Sequence, residues 1–164
     1  MDDALEDLKW AIENAAERLR SMTEAESEVR RAEGKWSPKE IIGHLIDSAA
    51  NNHQRFVRAQ FQDDLVFSGY EQESWVETQH YQQAAWPHLV EFWRMYNLHL
   101  LHLISHIPEQ KLNKLHQAHS LNKIAWRLVR ETEPTTLEYL IRDYIGHMKH
   151  HLQQIFEDAK LSPP

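Results

Sequence analysis

Residues 36–47 read WSPKEIIGHLID, and this stretch combines a helix start with the first residues of an apolar helix face. Ser37 is a good N-cap, Pro38 suits the first helical position, and Glu40 completes a capping box. Trp36 stands just before the cap, where an apolar side chain can pack back onto the helix as a hydrophobic staple. The stretch therefore predicts a helix that begins at Pro38.

This helix is predicted to extend from Pro38 to about Gln62, because apolar residues recur on one face at about 100° per residue. Only one asparagine interrupts the face, which consists of Ile41, Leu45, Ala49, Asn52, Phe56 and Ala59. A helix with a single apolar face needs other elements to cover it. The rest of the chain supplies such partners.

Two further segments have the same amphipathic pattern, one from Asp3 to Met22 and one from about Ala84 to about His106. Pro108 follows the second of these and favours a helix end there. Their apolar faces consist of Leu5, Leu8, Ile12, Ala15 and Leu19, and of Trp86, Leu89, Trp93, Tyr96, Leu100 and Ile104.

A last helix is predicted to begin at Thr135, with Glu138 three residues later as a second capping box. Its inner face consists of Leu137, Tyr144, Met148, Leu152 and Ile155. Residues 63–83 are predicted as a long loop that packs aromatic side chains (Tyr70, Trp75 and Tyr81) over the helices, and residues 109–134 as irregular, with room for short strands. The pattern predicts an all-α four-helix bundle in a single domain, residues 1–164.

Composition excludes several classes of function. The chain has no cysteine, so it has no disulfide, no cysteine-ligated zinc site and no thiolate nucleophile of its own. Its formal charge is −7, and without a lysine or arginine block we expect no binding to nucleic acid. No signal peptide and no membrane span are recognisable, so we expect a cytosolic protein without membrane association.

The chain contains 12 histidines, and two pairs have the spacing H-x-x-x-H. His102 and His106 lie opposite the apolar face of their helix, together with His99, and are predicted to be solvated. His147 and His151 instead border the inner face of the last helix. Two imidazoles one helical turn apart can occupy adjacent positions on one metal ion.

His44 borders the inner face of the helix that begins at Pro38, so it can meet His147 and His151 in a cleft between helices. The alternative is that the three are separate boundary histidines, each hydrogen-bonded through one ring nitrogen. Spacing alone leaves both interpretations open.

Two motifs resemble those of the DinB-like (DinB/YfiT) superfamily of small metal-binding bundles. Residues 36–47 are similar to its second-helix motif, and residues 143–155, DYIGHMKHHLQQI, to its fourth-helix motif. The resemblance covers nearly the whole chain. It implies one divalent metal ion held by His44, His147 and His151, with zinc, nickel and iron all suited to three imidazoles. Asp143 is a candidate to orient His147 as a hydrogen-bond acceptor, although an acidic residue early in a helix also needs no such role.

The resemblance implies a metal-dependent enzyme that acts on a small molecule, with water (a hydrolase) or an external low-molecular-weight thiol (a transferase) as the nucleophile. No side chain is assigned as the nucleophile. The alternative is a non-catalytic, stress-related binding module in which the metal stabilises the bundle, as a fourth ligand such as Asp47 would indicate. A homodimer is also an expectation from the resemblance.

Overall fold

The structure is a computed structural model that describes residues 1–156. Its helices, in chain order, are α1 (Asp2–Arg20), α2 (Glu24–Glu28), α3 (Pro38–Arg58), α4 (Gln72–Thr78), α5 (Trp86–Ser105), α6 (Glu109–Leu112), α7 (Leu121–Ile124) and α8 (Leu137–Phe156), with a 3₁₀ turn at Tyr81–Gln83. The four long helices α1, α3, α5 and α8 form the predicted bundle. Both α1 and α3 pack against α5 and α8.

The core lies where the predicted apolar faces meet. All six residues of the face predicted for α3 are buried. Among the largest fully buried side chains are Leu8 of α1, Phe56 of α3 and Trp93 and Leu100 of α5. Each such side chain stabilises the fold by roughly 1.5–3 kcal/mol relative to an exposed one. The polar Asn52 is tolerated in the face because its amide donates to the Ser48 carbonyl oxygen at 2.9 Å.

The predicted start of α3 is confirmed. The Glu40 backbone N–H donates to Ser37 Oγ at 3.3 Å, and Glu40 Oε2 accepts from the Ser37 backbone N–H at 2.8 Å. Two of the orphan donors at the helix start are thereby satisfied. This reciprocal pair fixes the direction in which α3 leaves Trp36, and hence where His44 points two turns later.

The predicted start of α8 is wrong by one residue. The Tyr139 backbone N–H donates to Thr136 Oγ1 at 3.1 Å, so Thr136 and not Thr135 caps the helix. Thr135 instead pairs with His116 in an isolated β-bridge, with N···O distances of 3.1 and 2.8 Å. Because the backbone N–H and carbonyl of Thr135 are both bonded to His116, the helix begins one residue later, with Thr136 as its cap.

The two linkers contain more helix than predicted. Residues 63–83 include α4 and the 3₁₀ turn, and residues 109–134 include α6 and α7. Within residues 1–156, β structure is limited to two isolated bridges, Leu65 with His119 and His116 with Thr135. Of these short elements, α4 and the 3₁₀ turn pack against α3, and α6 packs against α8. In the same part of the chain, no helix is long and apolar enough to span a bilayer.

Candidate metal centre

Three histidines from two helices converge at one point between α3 and α8. His44 comes from α3 and is completely buried, whereas His147 and His151 come from successive turns of α8 and are half-buried. One ring nitrogen from each lies within 4.8 Å of the other two. The structure therefore brings together the three histidines singled out from the sequence.

The spacing of these nitrogens fits a shared metal ion. His44 Nε2 and His147 Nε2 are 3.3 Å apart. Two nitrogens bound to one zinc at 2.0–2.1 Å with a tetrahedral angle are separated by about 3.3–3.4 Å. A weak hydrogen bond between two neutral imidazole rings has a similar distance. The two rings can therefore keep these positions with a metal ion or without one.

The outer nitrogens of the three rings differ in their partners. His151 Nδ1 lies 2.9 Å from Gln154 Oε1, which orients that ring with Nε2 towards the centre. His147 Nδ1 is 3.5 Å from Ser48 Oγ. Within residues 1–156, His44 Nδ1 has no hydrogen-bond partner. The Nε2 atoms of His44 and His147 are thus left facing each other inside the cluster.

Burial keeps these imidazoles neutral. Burial and, to a smaller extent, the nearby His151 together lower the pKa of His44 to about 3. Burial, followed by the neighbouring histidines, also holds the pKa of His147 far below its usual value. The pKa of His151 is lowered by burial too, although its bond to Gln154 partly offsets this. Neutral imidazole is the form that binds metal, so at neutral pH the cluster is ready to bind.

Two tryptophans flank the cluster. The Trp36 ring centroid lies 4.9 Å from that of His44 and 6.3 Å from that of His151. On the other side, Trp126 lies 6.5 Å from His147. Trp36 was expected as a staple for the helix start, whereas Trp126 lies in a segment whose sequence pattern is irregular. Together they place an aromatic ring beside each of the three imidazoles.

Asp143 holds the loop that carries Trp126. Its carboxylate accepts from the backbone N–H of Trp126 at 2.8 Å and from that of Arg127 at 2.7 Å. Both oxygens are therefore used by the loop, and the hydrogen bonds of Asp143 run there and not to His147. Gly146 leaves room for the Trp126 ring, which a Cβ at this position would approach to 3.0 Å.

Asp47 lies one turn after His44 but does not join the cluster. Its Oδ1 accepts from the Tyr81 hydroxyl and from Gln79 Nε2, both at 2.7 Å. These bonds fasten the 3₁₀ turn onto α3, where the Tyr81 ring covers Gly43 so closely that a Cβ there would overlap it. Within residues 1–156, no fourth His, Asp or Glu completes the group of three histidines.

A cavity of about 370 Å³ opens beside His147 and His151. Its wall includes Arg55 of α3 and Lys123 of α7, neither of which was singled out from the sequence. The position of Arg55 could have been recognised from the sequence. It follows His44 by eleven residues, and at 100° per residue this places it within about 20° of His44 around α3. The volume is in the range of small-molecule sites.

The other predicted histidine pair is not part of this site. His99, His102 and His106 are exposed on the outer face of α5, as predicted. The His102 and His106 rings are 4.4 Å apart, and His106 Nδ1 lies 2.7 Å from the His102 carbonyl oxygen.

Two comparisons with known proteins agree with this architecture. The family model of the DinB superfamily matches residues 7–155. Among solved structures, YfiT from Bacillus subtilis, described as a probable metal-dependent hydrolase with an unusual four-helix bundle topology, matches with a TM-score of 0.78 and 19% identity, over 95% of this chain and 83% of that chain. No curated protein matches the chain. At 19% identity the likeness to YfiT shows the fold, whereas the family model spans most of the sequence. The chain therefore belongs to the DinB superfamily.

Proposed function

We propose that this protein is a metal-dependent hydrolase whose divalent metal is held by His44, His147 and His151. The observation that carries the proposal is the convergence of three neutral imidazoles beside an open cavity. The described function of YfiT, a probable metal-dependent hydrolase, supports the same reaction class.

The number of ligands favours an enzyme over a non-catalytic module. Structural zinc sites normally have four protein ligands, whereas catalytic sites have three and keep one position open. The described part of the chain contributes three, and Asp47, the candidate for a fourth, does not belong to the group of side chains that lie within reach of one ion. His147 and His151 both line the cavity, so the open side of the centre faces a space that a substrate can enter.

A divalent metal at this centre would lower the pKa of a coordinated water towards about 7 and supply a nucleophile at neutral pH. The chain's own residues hold the three nitrogens in place and keep them unprotonated through burial. An external thiol is the alternative nucleophile, and the chain has no cysteine that would compete with it.

Turnover by metal-loaded protein tests the proposal. The untagged chain would be loaded in turn with Zn²⁺, Ni²⁺ and Fe²⁺ and given a panel of esters and amides, with and without a low-molecular-weight thiol. We expect hydrolysis without thiol that is lost on chelation and in His147→Ala but retained in His88→Ala, a control at an exposed histidine of α5 that does not line the cavity. Turnover that requires the thiol would replace the hydrolase with a transferase. Turnover that survives in His147→Ala would remove the proposed centre from the reaction.

A further inference from the structure

The cavity beside the histidines contains a buried positive charge. Arg55 lies on the last turn of α3 with 7% of its surface exposed, and it lines the same cavity as His147 and His151. Arginine is rarely buried to this extent unless an anion accompanies it, because removing a charge from water is costly. The surroundings of Arg55 therefore indicate what the cavity accommodates.

Two hydrogen bonds hold the guanidinium. Nη1 donates to Asn52 Oδ1 at 3.3 Å, and Nη2 donates to the Ser68 carbonyl oxygen at 3.0 Å. A guanidinium has five N–H donors in a planar fork. The two neutral acceptors thus orient the group and leave about three donors for another partner.

No carboxylate within residues 1–156 forms an ion pair with Arg55. The acidic side chain in the wall of the cavity is Asp143, whose two oxygens already accept from the backbone N–H groups of Trp126 and Arg127. Lys123, which is exposed, adds a second positive charge to the wall. In a chain with a net charge of −7, this cavity has two cationic side chains and one carboxylate that is already engaged.

We propose that Arg55 binds an oxyanionic group, a carboxylate or a phosphate, of the substrate. A planar fork with free N–H donors suits either group, and the exposed Lys123 adds attraction without a fixed geometry. The inference rests on the proposed function in that it places this group in the same cavity as the reacting centre.

The geometry of α3 also gives an upper limit to the distance between Arg55 and the metal centre. Eleven residues separate His44 from Arg55, which corresponds to about 16 Å along the helix axis. The bond from Arg55 to Asn52 shows that the guanidinium folds back towards His44. An occupant that reaches both ends of the cavity is therefore several bonds long, with its oxyanion at one end and the bond to be cleaved at the other.

A purely structural role for Arg55 would be to tie the Ser68 loop to α3. Arg55→Lys and Arg55→Gln separate the two roles, because lysine keeps the charge and loses the fork whereas glutamine keeps only a polar side chain. Asn52 and Ser68 remain in both variants. Circular dichroism and thermal unfolding would establish that each variant is folded.

The test is to titrate the full chain with simple anions at pH 8. Binding is detected by two-dimensional NMR, as shifts of the arginine side-chain and backbone amide signals. The probes are inorganic phosphate, succinate and, as a neutral control, succinamide. The titration is run on zinc-loaded and on metal-free protein, so that binding at Arg55 is measured separately from binding at the histidines.

We expect saturable shifts of the Arg55 signals with succinate or phosphate in both preparations, and none with succinamide. Affinity should fall about tenfold or more in Arg55→Gln and less in Arg55→Lys, and it should persist in His147→Ala. The anion that binds with the higher affinity, succinate or phosphate, identifies the substrate class as a carboxylate or a phosphate. Equal affinity in the wild type and Arg55→Gln, or no saturation in either preparation, would overturn the inference while leaving the metal-dependent hydrolase to be judged by its own assay.

Discussion

His44 Nε2 and His147 Nε2 face each other at 3.3 Å across the interface of α3 and α8. Hydrophobic packing alone does not require two imidazoles at this distance, and the buried ring of His44 loses the hydration of its nitrogens. A shared metal ion would satisfy both nitrogens at once. The distance between these two atoms therefore favours a bound divalent metal ion.

We expect the untagged wild type to bind about one equivalent of a divalent metal, and His44→Ala, His147→Ala and His151→Ala each to lose it. Removing one of three ligands leaves two, which hold a metal far more weakly. Metal content by inductively coupled plasma mass spectrometry, together with the thermal shift on adding Zn²⁺, measures this. His88→Ala is the control, because His88 is exposed on α5, does not line the cavity and should leave the stoichiometry unchanged.

The second prediction concerns pH and the metal-free protein. Burial lowers the folded-state pKa of His44 to about 3, whereas the unfolded chain has a value of about 6.5. Below about pH 6.5 the unfolded state binds the extra proton, so the free energy of unfolding falls as the pH is lowered towards about 3. His44 alone should contribute a loss of up to about 2 kcal/mol between pH 6.5 and pH 5.

Urea unfolding of EDTA-treated protein at pH 8, 6.5 and 5 would measure this loss. His44→Asn removes the titrating group, so its stability should depend less steeply on pH, whatever its absolute value. Identical pH slopes in the wild type and His44→Asn would show that His44 is not held neutral in the folded state.

Much of the fold could be predicted from the sequence, because four long amphipathic patterns and one capping box encode the bundle locally. The cap at Ser37 and the apolar face of α3 are confirmed. The start of α8 was wrong because a non-local β-bridge takes up Thr135, and no local pattern predicts a pairing with His116. Residues 63–83 were predicted as a long loop and residues 109–134 as irregular, because α4, α6 and α7 have seven residues or fewer, too short for periodicity to be seen.

The three histidines could be singled out because each borders an apolar face. Trp126 and Lys123 could not, since they reach the cavity through a segment whose position depends on tertiary contacts such as those made by Asp143. Arg55 was missed although its helical direction matches that of His44. The expected homodimer stays a prediction, because one chain carries no direct record of its assembly.

The third prediction concerns the close packing of Tyr81 on α3. Gly43→Ala should destabilise the protein by about 1–3 kcal/mol, because the added Cβ overlaps the Tyr81 ring and displaces it from Asp47. The gain in helix propensity, about 1 kcal/mol, opposes this but does not cancel it. Chemical denaturation measures the change.

Gly69→Ala is the control for Gly43→Ala, because its Cβ would meet only the Ile124 side chain at 3.8 Å. In a Tyr81→Ala background, Gly43→Ala should lose most of its cost, which makes the pair strongly non-additive. Additive effects of the two substitutions would mean that Gly43 is needed for a reason other than the Tyr81 ring.

The last prediction separates two roles of Asp143. If it holds the loop through the Trp126 and Arg127 N–H groups, Asp143→Ala should raise the hydrogen exchange of those two amides and lower stability by about 1–3 kcal/mol, since two backbone donors lose their acceptor. Metal affinity should then change little.

If Asp143 instead orients His147, the same substitution should weaken metal binding about 10–100-fold. Hydrogen exchange by mass spectrometry and competition with a zinc chelator measure the two effects on one variant, with Glu131→Ala, an exposed carboxylate of residues 109–134, as the control. We expect faster exchange at near-normal affinity, and a large loss of affinity without faster exchange would assign Asp143 to the metal centre.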